Sequence, residues 1–327
     1  MYGTGTKKML LMLILQILKD YSDDEHHLTQ QRIIKLLKSE YGMDCDRRSV
    51  KANVLSLIEM GYEIDMSDGY VLLSRDFEES ELRLLIDSLL FSKTISKNQA
   101  KELIGKLEGF GTKYFESKVK HVDASAGLIR TNNKQVLYTV GILNDAMDAK
   151  KKVAFRYGAY GVDLKIHDKG NDYKVNPYQM VAANGFYYLL GNVDKHDNLI
   201  YFRIDKILDI EILDEKIKPK KFVQGLENGL DVPKHMAEHI FMISGECGIV
   251  KFKTKNYMLD VVVDWFGRDI AVSDEGNEEV IVRVKCNYKS MKYWAMQYGN
   301  KVEILEPQTL RDEITRDLRA MLKKYSD

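Results

Sequence analysis

The chain has 327 residues, more than one hydrophobic core usually organises, so two or three domains are expected. Lys plus Arg and Asp plus Glu both number 49, which excludes a polyanion-binding surface spread over the whole molecule and confines any nucleic-acid contact to a local patch. Cys45, Cys247 and Cys286 lie far apart, form no CxxC pair and leave one over, which points to free thiols in a reducing compartment and to no cysteine-based metal site.

Lys7-Lys8 precede an apolar run from Met9 to Leu18, much as the basic end of a signal peptide precedes its core. No small-residue cleavage site follows, and the run, broken by Gln16 and Lys19, is too short to span a bilayer, which needs about 20 apolar residues. It reads as the buried first helix of a cytoplasmic protein with no membrane partner. From Thr6 to about Arg75 the pattern is helix, helix, turn, helix, hairpin. Thr29 caps a second helix that runs through Ile33, Ile34, Leu36, Leu37 and Tyr41 and stops at Gly42. Asp46 caps a third, with Val50, Val54, Leu57 and Ile58 facing the core, and Gly61 ends it. Residues 62–66 and 70–73 flank Ser67-Asp68-Gly69, where Asp-Gly signals a tight hairpin turn. The expected unit is a winged helix-turn-helix over residues 1–75.

Residues 76–149 read as a helical connector, with Leu82, Leu85, Ile86, Leu89 and Leu90 in one stripe. From Lys151 the period becomes alternating: strands are expected at 153–157, 173–175, 186–190, 199–203 and 207–212, forming a small β-barrel over residues 150–218. Residues 219–245, with Gly225, Gly229 and Pro233, read as a linker. Residues 246–327 then run strand, helix, two strands, helix, strand, the βαββαβ order of ferredoxin-like folds, followed by a last helix from Leu310 to Tyr325. The fold class expected for the whole is α+β.

In a helix-turn-helix the second helix of the pair enters the major groove. Here it opens Arg47-Arg48-Ser49, and helical spacing puts Arg48, Ser49, Ala52 and Ser56 outward, with Lys51 flanking and Arg47 at the first turn. Between Arg32 and Ser56, Arg32, Lys35, Lys38, Arg47, Arg48 and Lys51 outnumber Glu40, Asp44 and Asp46. The candidate double-stranded DNA contacts are therefore Arg47, Arg48, Ser49, Lys51 and Ser56. A bare winged helix can equally serve protein contact, since fold alone does not fix function.

Three motifs follow one another in the barrel segment: Val175-Asn-Pro-Tyr-Gln-Met-Val181, Gly185-Phe-Tyr-Tyr-Leu-Leu-Gly191 and Tyr201-Phe-Arg-Ile-Asp-Lys-Ile207. In this order they resemble the WYL-domain family of bacterial transcriptional regulators. The segments from Val261 to Gly267 and from Val302 to Leu310 resemble that family's C-terminal extension. The motif's tryptophan falls on Tyr187, its tyrosine on Tyr188 and its leucine on Leu189; the family's Arg-Leu-Asp-Arg-Ile falls on Arg203-Ile204-Asp205-Lys206-Ile207, with lysine at the second basic position. The resemblance implies an SH3-like or Sm-like barrel that binds a regulatory ligand, in some members a nucleic acid, and a homodimer. If Tyr157, Lys174, Tyr188 and Arg203 converge on one face, with Lys206 beside them, they offer cations for phosphate and rings for a base. The competing reading of the same tyrosines is barrel core.

His235-Met-Ala-Glu-His239 matches H-x-x-E-H, but within a linker it lacks the third rigid ligand that a catalytic zinc needs. No P-loop, dinucleotide fingerprint or nucleophile elbow appears, so no enzyme activity, cofactor or metal is expected. The expected function is a ligand-responsive DNA-binding regulator whose barrel binds an anionic effector, a nucleotide or single-stranded nucleic acid, and modulates operator binding. The alternative is an accessory protein that binds single-stranded nucleic acid or a partner nucleoprotein without acting at an operator.

Overall fold

The computed structural model describes residues 9–115, 133, 135–227 and 229–326 of a mixed α+β chain. Lys7-Lys8, and residues 116–132 and 134 of the expected connector, lie outside that range. The chain divides into two compact units, Met1–Arg130 and Thr131–Asp327. No described helix is long and apolar enough to cross a membrane.

The first unit opens with α1 (Leu10–Tyr21), α2 (Gln30–Tyr41) and α3 (Arg47–Glu59), then a hairpin of β1 (Ile64–Asp65) and β2 (Val71–Leu72). Ile14, Ile17 and Leu18 of α1 are fully buried, and each such side chain contributes at most about 1.5–3 kcal/mol. The helix ends follow the local chemistry of the sequence. The Thr29 hydroxyl accepts the Arg32 N–H at 3.2 Å, and the Asp46 carboxylate accepts the Ser49 N–H at 2.8 Å. Gly42, at φ +65°, closes α2 with its N–H on the Lys38 carbonyl at 3.0 Å. The guanidinium of Arg75 donates to the Lys19 carbonyl at 2.9 Å and to that of Ser22, occupying carbonyls left open at the end of α1.

Three expectations change here. Ile58 is 38% exposed, so the inward stripe of α3 is Val50, Val54 and Leu57 alone. The Asp68-Gly69 pair is not a two-residue turn: Asp65 pairs with Val71, leaving a loop over residues 66–70. The reason is Tyr70, which exchanges backbone hydrogen bonds with Leu28, at 2.8 and 3.1 Å, and thereby leaves the β1 ladder. Finally, in α4 (Glu79–Phe91) only Leu82 and Ile86 are fully inward, packed with Phe115 and with Ile104 of α5 (Lys97–Glu108); Leu85 is 39% exposed.

The second unit begins with α6 (Val136–Asp148). Its Val136, Leu143 and Ala146 are buried with Val153, Val175, Leu189 and Phe202, so this end of the expected connector packs as part of the sheet domain. The sheet comprises β3 (Lys151–Tyr160), β4 (Ile166–Ala183), β5 (Phe186–Asn192), β6 (Ile200–Arg203) and β7 (Ile207–Lys216), in the order β6-β5-β4-β3-β7 with antiparallel neighbours. The expected closed barrel is corrected: among the described residues no ladder joins β6 to β7. At the end of β6 the Arg203 N–H goes to the Tyr157 hydroxyl at 3.0 Å, and a 3-10 turn over Ile204–Lys206 follows at once.

Residues 219–245 are also more than a linker. They carry α7 (Val232–Glu238), and Val223 and Leu226 are buried with Tyr178 and Leu199. Buried Asn176 accepts the Lys218 N–H at 2.9 Å, and the Tyr178 hydroxyl donates to the Lys218 carbonyl at 2.7 Å, which fixes the start of the segment on β4. The C-terminal part then runs β8 (Cys247–Lys255), α8 (Leu259–Phe266), β9 (Ala271–Gly276), β10 (Glu279–Asn287), α9 (Tyr288–Tyr298), β11 (Val302–Glu306) and α10 (Gln308–Lys324). Its strand order is β11-β8-β10-β9, every neighbouring pair antiparallel. Alternation sends Val250, Phe252, Val282 and Val284 to the face covered by Phe266 and Trp294. Lys251, Lys253 and Lys255 alternate to the other face, in ion pairs with Glu279, Glu303 and Glu306.

Candidate functional site

The first candidate surface is the outer side of α3. Burying Val50, Val54 and Leu57 turns Arg47, Arg48, Lys51, Ala52 and Ser56 to solvent, while Ser49 is half-buried. Among the described residues none of Arg47, Arg48 and Lys51 enters an ion pair within 4.0 Å, whereas Lys38 is taken by Asp44. The Ser49 N–H holds the Asp46 carboxyl below its ordinary range, so this negative group serves the helix start. What remains is a small, basic and solvated helix face.

The second surface lies at the free end of β6. Arg203 is cross-strand from Tyr188, and its guanidinium stacks 3.6 Å from the centroid of the Phe186 ring. Two parallel contacts tie it to Asp205, Nε to Oδ1 at 3.1 Å and Nη2 to Oδ2 at 2.8 Å. Asp205 is 1% exposed, so Arg203 neutralises a buried carboxylate before it meets any ligand. Tyr157, packed edge-on to Tyr173 and Phe202, anchors the Arg203 backbone, and burial pushes its phenol up to about 12. Lys206 lies 5.6 Å from the centroid of the Tyr160 ring; burial, then the Arg203 charge, pull its ammonium below the ordinary lysine range. Arg203 thus holds the buried carboxylate, and Lys206 stands within electrostatic reach of both. Tyr187, at the motif's tryptophan position, is 44% exposed, whereas Leu189 is fully buried.

Lys174 does not join this group. On β4 it alternates with the inward Tyr173 and Val175, and it pairs with Glu215 at 2.6 Å. Glu215 also meets Lys152 at 3.3 Å, so Lys174 belongs to a surface ion-pair network. Tyr157, Tyr188, Arg203 and Lys206 come together; Lys174 sits beside Ala154 in the ladder and is engaged by Glu215. Sequence reasoning also missed Phe186 and Asp205, both inside the quoted motifs, as the groups that orient Arg203.

A third feature is a cleft of about 970 Å³ lined by Tyr201, α7 and the start of β8. Tyr201 Oη and His235 Nε2 share a hydrogen bond of 2.8 Å, and the rings of His235 and His239 stack with centroids 4.2 Å apart. Burial, then the His239 charge, lower His235 to about 4, and burial lowers His239, so both rings are neutral near pH 7. Cys247 Sγ stands 3.2 Å from His239 Nε2, and burial pushes its thiol up to about 11. Wide spacing had set this cysteine aside; the turn after α7 brings it to the histidine. Glu238 pairs with Lys285 at 3.0 Å.

With this geometry in hand, residues 138–212 match the WYL domain family and residues 250–322 match the WCX domain family. The chain thus carries a WYL domain followed by a WCX domain. Among solved structures, one similar chain is proteasome accessory factor B/C (PafBC) of Arthrobacter aurescens, at 15% identity and TM-score 0.30 over 99% of this chain and 50% of that one. Another is a CRISPR Cas-related protein, at 13% identity and TM-score 0.38 over 99% of this chain and 88% of that one. The chain spans half the length of the first. No curated protein matches the sequence.

Proposed function

We propose that the chain is a transcription regulator that contacts double-stranded DNA through α3 and responds to an anionic effector bound at the WYL sheet. The observation that carries the reading is the exposure of Arg47, Arg48, Lys51 and Ser56 on the second helix of a helix-turn-helix pair, with no ion pair occupying the three cations among the described residues. A helix so disposed reaches phosphates with its basic first turn and base edges with small side chains behind it. The neutral charge of the chain as a whole limits the attraction to this patch.

The effector is an anion with a flat, stackable part, a nucleotide or single-stranded nucleic acid. Arg203 and Lys206 meet its phosphate and Tyr188 offers a ring, while Tyr157 fixes the backbone of Arg203. Lys174 has no place in this site. The protein acts as a homodimer, each copy presenting α3 to one half-site, and effector occupancy biases which dimer geometry is populated. Genome-wide mapping of bound sites tests the reading: discrete sites for the wild type that vanish in Arg48→Ala support it, and identical maps for the two proteins contradict it. Tight binding of single-stranded DNA with no duplex footprint would favour an accessory role instead.

A further inference from the structure

The cleft beside α7 holds chemistry that DNA or effector binding does not use. His239 is 7% exposed, and its Nδ1 donates to the His235 carbonyl at 3.0 Å. A carbonyl can only accept, so the ring proton sits on Nδ1 and the Nε2 lone pair points away from the helix. That lone pair faces Cys247 Sγ at 3.2 Å. One ligand atom each from Glu238, His239 and Cys247 lie within 4.8 Å of one another. A histidine whose second nitrogen is fixed by a carbonyl, beside a sulfur and a carboxylate, is the way a protein presents ligands to a metal.

We propose that Glu238, His239 and Cys247 form a binding site for a divalent cation of the zinc class, with its fourth coordination position open to the cleft. Tetrahedral zinc, with bonds of about 2.0–2.3 Å, sets its ligand atoms roughly 3.4–3.6 Å apart. The His239–Cys247 pair is within a few tenths of an ångström of that spacing at 3.2 Å. Glu238 completes the set by swinging inward and releasing Lys285, whose side chain is 53% exposed and returns to water. A nitrogen, sulfur and oxygen set selects zinc or cobalt over magnesium and calcium, which take oxygen.

An independent observation lies behind the sulfur. Asn287 is fully buried and cross-strand from Cys247, and its side-chain nitrogen has no hydrogen-bond partner of ordinary geometry among the described residues. The acceptor within its reach is the Cys247 sulfur, and a metal-bound thiolate takes that N–H better than a thiol does. His235 stays outside the ligand set, because its Nε2 is engaged by Tyr201 at 2.8 Å. The H-x-x-E-H pattern therefore supplies its glutamate and second histidine, and the strand supplies the third ligand. Bridging α7 to β8, the cation clamps the 219–245 segment onto the C-terminal sheet.

The test uses the full chain, stripped with a chelator under a non-coordinating reductant and titrated with Co²⁺ and then Zn²⁺. One equivalent of Co²⁺ is expected, with the visible absorption of tetrahedral cobalt and a near-ultraviolet thiolate-to-cobalt band, both bleached by Zn²⁺. Cys247→Ser removes the thiolate band and weakens binding at least about tenfold, His239→Ala weakens it similarly, and Cys45→Ser changes nothing. A wild-type spectrum without the thiolate band overturns the proposal even if a variant fails to fold, as does a band that survives in Cys247→Ser. Binding of zinc would leave the DNA and effector readings standing, and its absence would not weaken them.

Discussion

The hydroxyl of Tyr157 accepts the backbone N–H of Arg203 at 3.0 Å, tying the arginine of the effector surface to the aromatic core of the sheet. The bond is made at the end of β6, an edge strand whose one ladder among the described residues is with β5. Tyr157→Phe keeps the ring and deletes the acceptor. A buried donor left unpaired costs about 1–3 kcal/mol, so urea unfolding of the variant should show a loss in that range with an unchanged m-value. An unchanged midpoint would mean that water replaces the phenol freely and that Tyr157 is only packing.

Arg203 and buried Asp205 behave as one unit. Removing the arginine alone strands a carboxylate in the interior, a change that costs about 3–5 kcal/mol for fully buried pairs and less here because the Arg203 side chain is 21% exposed. Arg203→Ala should therefore be clearly destabilised, and Arg203→Ala with Asp205→Asn should recover part of the loss. Additive effects in that double-mutant cycle would deny the coupling.

Lys206 is the better probe of effector binding, since among the described residues it enters no ion pair. Its ammonium is disfavoured by burial and by Arg203, and an arriving anion relieves both. ATP or a short single-stranded oligonucleotide should raise the thermal midpoint of the wild type by mass action. Lys206→Gln should weaken the apparent affinity several-fold, and Lys174→Gln should leave it unchanged. Equal losses in the two variants would remove the distinction between the Arg203 surface and the Lys174–Glu215 network.

Asp46 gives α3 a pH-dependent start. Its folded-state carboxyl titrates below the ordinary value of 3.8, first because of the Ser49 N–H. A group lowered on folding stabilises the protein fully above its unfolded-state pKa, and the contribution disappears as pH falls through the folded value. Wild type should therefore exceed Asp46→Ala in stability at pH 7, with the gap closing as pH drops below about 4. A gap that stays constant down to that range would show that the carboxylate charge plays no part in the cap.

The sequence made some features legible because they rest on local chemistry. Thr29, Gly42 and Asp46 act where their side-chain and backbone preferences place them. Asp68-Gly69 misled because the partner of Tyr70 is Leu28, more than forty residues earlier, and no local pattern encodes that pairing. Asn184-Gly185 forms a tight two-residue turn: Ala183 pairs with Phe186 and both turn residues have positive φ, +53° and +81°. Asn277-Glu278 forms another between Gly276 and Glu279, at +53° and +60°. Lys174 was grouped with Arg203 by charge, and nothing local to it announces that Glu215, on β7, engages it in a separate ion-pair network. The cleft was hidden because Tyr201, His239 and Cys247 meet only after α7 folds back, and H-x-x-E-H gave no hint of the cysteine.

The central claim is that the outer side of α3 binds duplex DNA. Its most direct test is the salt dependence of duplex affinity, read by fluorescence anisotropy on a site recovered from the mapping, for wild type, Arg48→Ala and Lys51→Ala. Log affinity should fall linearly with log salt for the wild type, and each variant should bind more weakly, losing about one from that slope if the removed cation meets a phosphate. Wild-type affinity and slope retained in both variants would contradict the account.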